Sequence, residues 1–170
     1  MRVLSCALAL GAAVALGGPA IASPIFSPQH KLVDQATSLI VRGDYRAAEP
    51  LLRKSLQIDD SEPFAHYNLG VVLRETGRAN DAIAEFQRAD QLFAPDDQAN
   101  RAAALYGCAL AAEQQGDPAV AARAWNDYIR FDQRFASSQQ AVSIARDHLR
   151  YERDLAQTRP TIPGTQKAGR

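Results

Sequence analysis

The sequence predicts an all-α fold, and three observations carry that expectation. The composition is rich in alanine, with aromatics at 7% and only short β-branched runs. Apolar residues recur at three- and four-residue steps along most of the chain. A spaced pattern of small and bulky residues also appears three times, as an internal repeat would require. Gly43 opens "GDYRAAEPLL"; Gly77 opens "GRANDAIAEF" 34 residues later; Gly116 opens "GDPAVAARAW" 39 residues after that. Each glycine is followed five residues on by Ala48, Ala82 or Ala121, and four further on by Leu52, Phe86 or Trp125.

The first element is not part of that fold. "MRVLSCALALGAAVALGGPAIAS" carries one positive charge at Arg2, an uncharged apolar run from Val3 to Leu16, a Gly-Gly-Pro break and the small pair Ala20 and Ala22. This is the pattern of a secretory signal peptide cleaved after Ala22. The run is short for a membrane span, which needs ~20 residues. Cys6 sits at the start of the apolar run, with no room for a lipid-attachment signal before it, so a lipid-attachment site does not fit. Cleavage removes Arg2 and Cys6, leaving 18 basic residues against 19 acidic ones, a net charge near −1. No global field then points to nucleic acid or to an anionic membrane. Cys108 is left as the lone thiol and has no internal disulfide partner. The short signal with its A-x-A end suggests a bacterial protein exported to the periplasm, with no stable membrane insertion after cleavage.

The remaining elements follow in order. Residues 23–28 read as a short extended lead-in. Helices are expected over 29–42 and 45–58, 63–76 and 79–92, and 98–115 and 118–131. Gly43, Gly77 and Gly116 sit where a left-handed residue ends a helix at no steric cost. Asp44 reads as the cap before Tyr45, and Asp117-Pro118 as a cap followed by proline at the first helical position. Asp96 or Asp97 would cap the fifth helix, lengthened at its start by "DDQANR". Pro50 falls in the second turn of its helix, where one backbone bond is missing and a mild kink is expected. Residues 137–157 form one more amphipathic helix, with Ala141, Ile144, Ala145, His148 or Leu149, and Leu155 on its apolar side. The tail 158–170 holds two prolines, two glycines and basic residues, a composition that favours disorder.

Glycine inside a helix costs roughly 1 kcal/mol relative to alanine, so Gly70 needs a reason. The expected one is close packing, with Gly70 and Ala82 letting the two helices of one pair approach.

With these residues in place, the chain resembles the tetratricopeptide repeat. The middle repeat carries the resemblance best, through His66, Leu69-Gly70, Leu73, Gly77, Ala82, Phe86 and Pro95. The first is looser, with Leu32, Ala36, Leu39, Gly43, Tyr45, Ala48 and Leu52; the third reads Leu105, Cys108-Ala109, Ala112, Gly116, Ala121 and Trp125. The resemblance implies a right-handed superhelical array of about three repeats over 29–136, at about 29–62, 63–96 and 98–135, with 137–157 as a C-terminal capping helix. A capping helix is what such an array needs, because its last repeat cannot cover its own apolar face.

Candidate chemistry is sparse. His30, His66 and His148 are single and far apart, and none forms a zinc-like i, i+4 arrangement. His66 stands at a large-residue packing position, and Cys108 behaves as a small hydrophobe within its helix. Asp59-Asp60 and Asp96-Asp97 fall in turns, not in pockets where paired carboxylates do acid–base work. No phosphate-binding loop or nucleophile motif is seen. No enzyme, cofactor or metal is expected.

The resemblance implies that the first helix of each repeat lines a concave groove. Its groove positions fall on His30, Val33, Thr37 and Ile40, on Phe64, Tyr67, Asn68, Val71 and Arg74, and on Tyr106, Leu110 and Gln114. The family's best-known ligand site clamps a peptide carboxylate with lysine, asparagine and arginine. Asn68 matches it, whereas Val33 and Thr37 stand where the first repeat would supply the lysine and asparagine. An apolar, aromatic-bearing groove suits an apolar or amphipathic peptide instead, although Tyr67 and Tyr106 could equally pack on neighbouring helices. Two functions remain: an exported adaptor holding a protein or peptide partner in the groove, or a structural, self-associating module with the groove idle.

Overall fold

A computed structural model describes residues 27–135 and 139–158. The expected signal segment, most of the lead-in and nearly all of the tail lie outside the described residues. All regular structure among the described residues is helical: α1 Pro28–Val41, α2 Tyr45–Ile58, α3 Pro63–Glu75, α4 Ala79–Leu92, α5 Gln98–Gln115, α6 Pro118–Phe135 and α7 Gln139–Thr158. Helices α2, α4 and α5 have the expected bounds. α1 begins at Pro28, inside the stretch expected to be extended, with Ser27 as its extended N-cap (φ −70°, ψ 146°).

Local chemistry sets these ends. Pro28, Pro63 and Pro118 each open a helix, where a missing N–H costs nothing and the fixed φ is already helical. Asp44, Glu62 and Asp97 cap α2, α3 and α5 by accepting from Ala47 N (3.3 Å), Phe64 N (3.2 Å) and Asn100 N (3.3 Å). Gly43, Gly77 and Gly116 have φ of 77°, 81° and 83°, the left-handed conformation expected of them. α2 runs continuously through Pro50. α6 continues to Phe135, one turn beyond the expected end. Arg101, in the first turn of α5, lies 5.0 Å over the Phe131 ring of α6 and also pairs with Asp90 of α4 at 2.9 Å.

Successive helices pack in pairs, and the pairs stack. α1 touches α3, and α3 touches α5, while α2, α4 and α6 do not touch one another among the described residues. A row whose members touch is the inner side of a curve, and a row that splays is the outer side. The odd-numbered helices α1, α3 and α5 therefore line the concave face.

The repeated small and bulky residues form the core. Ala48, Ala82 and Ala121 are fully buried, and so are Leu52, Phe86 and Trp125. One cluster runs from α1 to α5 around Leu52, Leu69, Leu73 and Phe86; a second joins α5, α6 and α7 around Trp125.

Gly70 has a different role from the one expected. A Cβ built there would lie 2.9 Å from Phe86 Cδ1, so the missing side chain makes room for a ring. On the other side, a Cβ at Gly107 of α5 would lie 2.7 Å from Phe86 Cε1. The ring is held between two glycines of successive inner helices.

α7 keeps part of its expected apolar side, with Ala145 and Leu149 buried as expected and Ile144 not. Val142, Ala145, Leu149 and Glu152 are buried against the array, whereas Ile144 is 44% and Tyr151 61% exposed. The buried stripe ends in a glutamate, Glu152, which hydropathy alone would not place there.

Candidate partner-binding face

The twelve groove positions fall on α1, α3 and α5, and packing sorts them. Val33 is only 6% exposed, so its side chain belongs to the interior and not to the face. Thr37 is exposed one turn later; its hydroxyl donates to Val33 O (2.8 Å) and accepts from Asn68 Nδ2 (2.9 Å). That second bond crosses from α1 to α3 and ties the two inner helices together on the face. The asparagine that matched the carboxylate clamp thus has a protein partner here.

Ile40 and Val71 are half-buried and pack on the rim of the first core cluster. On α3, Phe64, Asn68, Val71 and Arg74 follow one another at three- and four-residue steps and share one side of the helix. Phe64 is 42% exposed, with its ring edge-on to Phe93, the C-cap of α4, at 5.1 Å. Arg74 pairs with its neighbour Glu75 at 2.5 Å. Along this side the face offers an aromatic ring, an amide, an apolar patch and a guanidinium in sequence.

The two tyrosines are chiefly packing groups. Tyr67 stands edge-on to Phe86 at 5.7 Å, and Tyr106 edge-on to Trp125 at 5.4 Å. Each is half-buried and braces the large ring of its own repeat. Leu110 packs in the second cluster. Gln114 is exposed and lines a 390 Å³ cavity with Gly77, Arg78, Asn80 and Asp81, at the far end of the face.

The candidate chemical groups are engaged structurally. Cys108 is buried, and burial, with Asp127 and Asp90 adding to it, pushes its thiol up to about 11. A protonated thiol is a poor nucleophile. His30 pairs with the buried Glu62 at 3.1 Å. His66 lies between Glu85 and Asp60. His148 stacks on Trp125 at 4.7 Å and meets Glu113 at 2.6 Å, while the Trp125 indole donates to the same Glu113 oxygen at 2.8 Å. Among the described residues, no group of three or more His, Cys, Asp or Glu side chains is placed to hold a metal ion. No described helix is long and apolar enough to cross a membrane.

Sequence reasoning missed Gly107, the Thr37–Asn68 bond and Glu113. Gly107 did leave a signal, since it is a second glycine inside a helix. The other two are long-range pairings without a local signature.

Residues 33–99, from the middle of α1 to the start of α5, match the tetratricopeptide repeat family. No curated protein matches the chain. With that match, the all-α array of helix pairs is a tetratricopeptide repeat fold. The third pair and α7 lie beyond the matched span.

Proposed function

We propose that this protein is an exported, non-enzymatic adaptor of the bacterial cell envelope, periplasmic in location, that holds a protein or peptide partner on the α1/α3/α5 face. Repeats of this family commonly mediate protein–protein interaction. The observation that carries the reading is the α3 stripe, where Phe64 is 42% exposed beside Asn68, Val71 and Arg74 on the concave side. An exposed aromatic next to directional polar groups is the composition of an interface centre. Export rests on the leader pattern of residues 1–22, and absence of catalysis on the lack of any assembled nucleophile or acid–base motif in the sequence.

The test places a photo-reactive residue at Phe64, with exposed Arg88 on α4 as control. One protein should be captured from Phe64 and not from Arg88. It should then bind the purified chain, and Phe64→Asp should weaken that binding at least about tenfold. Capture of nothing, or equal capture from both sites, would overturn the reading. N-terminal sequencing of the exported protein should begin at Ser23; an intact N-terminus in the membrane fraction would replace the leader with an anchor.

A second reading, self-association, is favoured by the apolar side chains that α7 turns outward, Ile144 and Tyr151. A solution mass that grows with concentration, and falls back in Tyr151→Lys, would select it.

A further inference from the structure

We propose that the turn Asp59–Glu62, between the first and second helix pairs, is a protonation-controlled joint, clasped to α3 and α4 by an imidazolium at His66 and released when that ring is neutral. His66 Nδ1 lies 2.6 Å from Glu85 Oε2 on α4, and Nε2 lies 2.9 Å from the Asp60 carbonyl oxygen in the turn. A carboxylate and a carbonyl both accept, so both ring nitrogens must donate, and only the imidazolium carries two N–H groups. A neutral ring keeps one contact and turns a lone pair toward the other acceptor. The His66 side chain is 12% exposed, with its Glu85 contact partly buried and its Asp60 contact open to water.

The charged and titratable groups around it all belong to this junction. α4 contributes Glu85 and Arg88, and the turn contributes Asp59, Asp60 and Glu62. α1 contributes His30, held by Glu62 at 3.1 Å. Asp59 orders the turn internally by accepting from Ser61 N (3.0 Å) and Ser61 Oγ (2.6 Å). Glu62 caps α3. His66 joins that ordered turn to the second helix pair, two residues on from Phe64.

Burial works against the charged ring, but the Glu85 hydrogen bond, the Asp60 carbonyl and the Glu85 charge outweigh it and the opposing Arg88, and the His66 pKa is raised. The sign follows. A group whose folded pKa is raised contributes fully below its unfolded value, ~6.5 for histidine, and loses that contribution as pH climbs through the folded value. The joint is clasped in mildly acidic solution and opens as pH rises through the raised folded value.

The experiment uses the full chain. Ring-nitrogen NMR reads the His66 protonation state across pH, and amide hydrogen exchange reads Asp60, Ser61, Glu62 and Phe64 in the same samples. Both ring nitrogens should be protonated at about pH 6. Exchange in the turn, corrected for its intrinsic pH dependence, should then rise about tenfold as His66 deprotonates, with the same midpoint. Glu85→Gln keeps an oxygen acceptor but removes the charge, so it should move both midpoints to lower pH together. A purely structural contact would change protection at every pH without moving a midpoint. A neutral His66 at about pH 6, or turn exchange that ignores its titration, would overturn the proposal, and the wild-type titration decides this even if the variant does not fold.

Discussion

The array is closed in two ways around two equivalent rings, Phe86 in the second helix pair and Trp125 in the third. Phe86 lies between Gly70 and Gly107, and α3 and α5 come into backbone contact around it. Tyr67 braces its edge, and the layer is apolar. Trp125 has the same tyrosine brace, from Tyr106, but its outer side is covered by His148, with Glu113 accepting from both rings. Long side chains there do what absent side chains do at Phe86. In consequence α5 and α7 make no backbone contact among the described residues, and Glu113, Gly116, Pro118, His148 and Tyr151 line a 570 Å³ cavity between them. Small residues close a layer by shape. Polar groups close it by direction and leave space behind.

The contrast can be broken at several points. The largest effect should come from Phe86→Ala, which empties a closed site and should cost about 3–5 kcal/mol in chemical denaturation. Gly107→Ala comes next. Its new methyl meets the ring at 2.7 Å, and overpacking of this kind costs about 1–3 kcal/mol. Combining it with Phe86→Leu should recover part of that loss, so the two changes should be non-additive in a double-mutant cycle. A simple sum would mean that the ring and the glycine do not share the space described.

His148→Ala should cost less, about 0.5–1.5 kcal/mol, because one hydrogen bond and one ring stack at a half-buried site are lost. Trp125 is the single tryptophan, so its fluorescence should change in this variant and stay unchanged in Gly107→Ala if α5 shifts only locally.

The smallest effect belongs to Glu49, which joins α2 to Arg78 at the start of α4 with contacts of 2.9 and 2.5 Å. The Arg78 hydrogen bond is the chief cause that holds its carboxyl down at about 2, with Arg53 assisting and burial opposing. A depressed carboxylate contributes above its ordinary value and loses the contribution as pH falls toward 2. Arg78→Ala should return the Glu49 titration toward 4.5 and remove at most about 1 kcal/mol at neutral pH, since the pair is partly exposed.

The fold was legible because its signals are local. A glycine that ends one helix, an alanine five residues on and a bulky residue four beyond that are all fixed by backbone geometry and by one crossing between adjacent helices. The face was less legible, because whether a side chain meets a partner or a neighbour is decided by helices far away in sequence. Tyr67 and Tyr106 illustrate this: their spacing allowed both readings, and only the positions of Phe86 and Trp125 show them braced. Val33 was misplaced for a related reason, as a one-position rotation of α1 separates its face from its core. Gly107 went unread because the pattern places Cys108-Ala109 where Leu69-Gly70 stands in the second repeat, and the needed gap falls two residues earlier. In α7, Ile144 was misplaced and the buried Glu152 went unread, because hydropathy favours an isoleucine over a glutamate.

The most direct measurement of the two closures is native-state amide hydrogen exchange over the full chain, resolved by helix. The middle of α3 and α5, around Gly70 and Gly107, should exchange most slowly and close to the rate set by global unfolding, while α7 should open through a separate, lower-energy step. Equal protection of α7 and α3, lost together in one transition, would contradict a tight middle and a looser, polar-closed end.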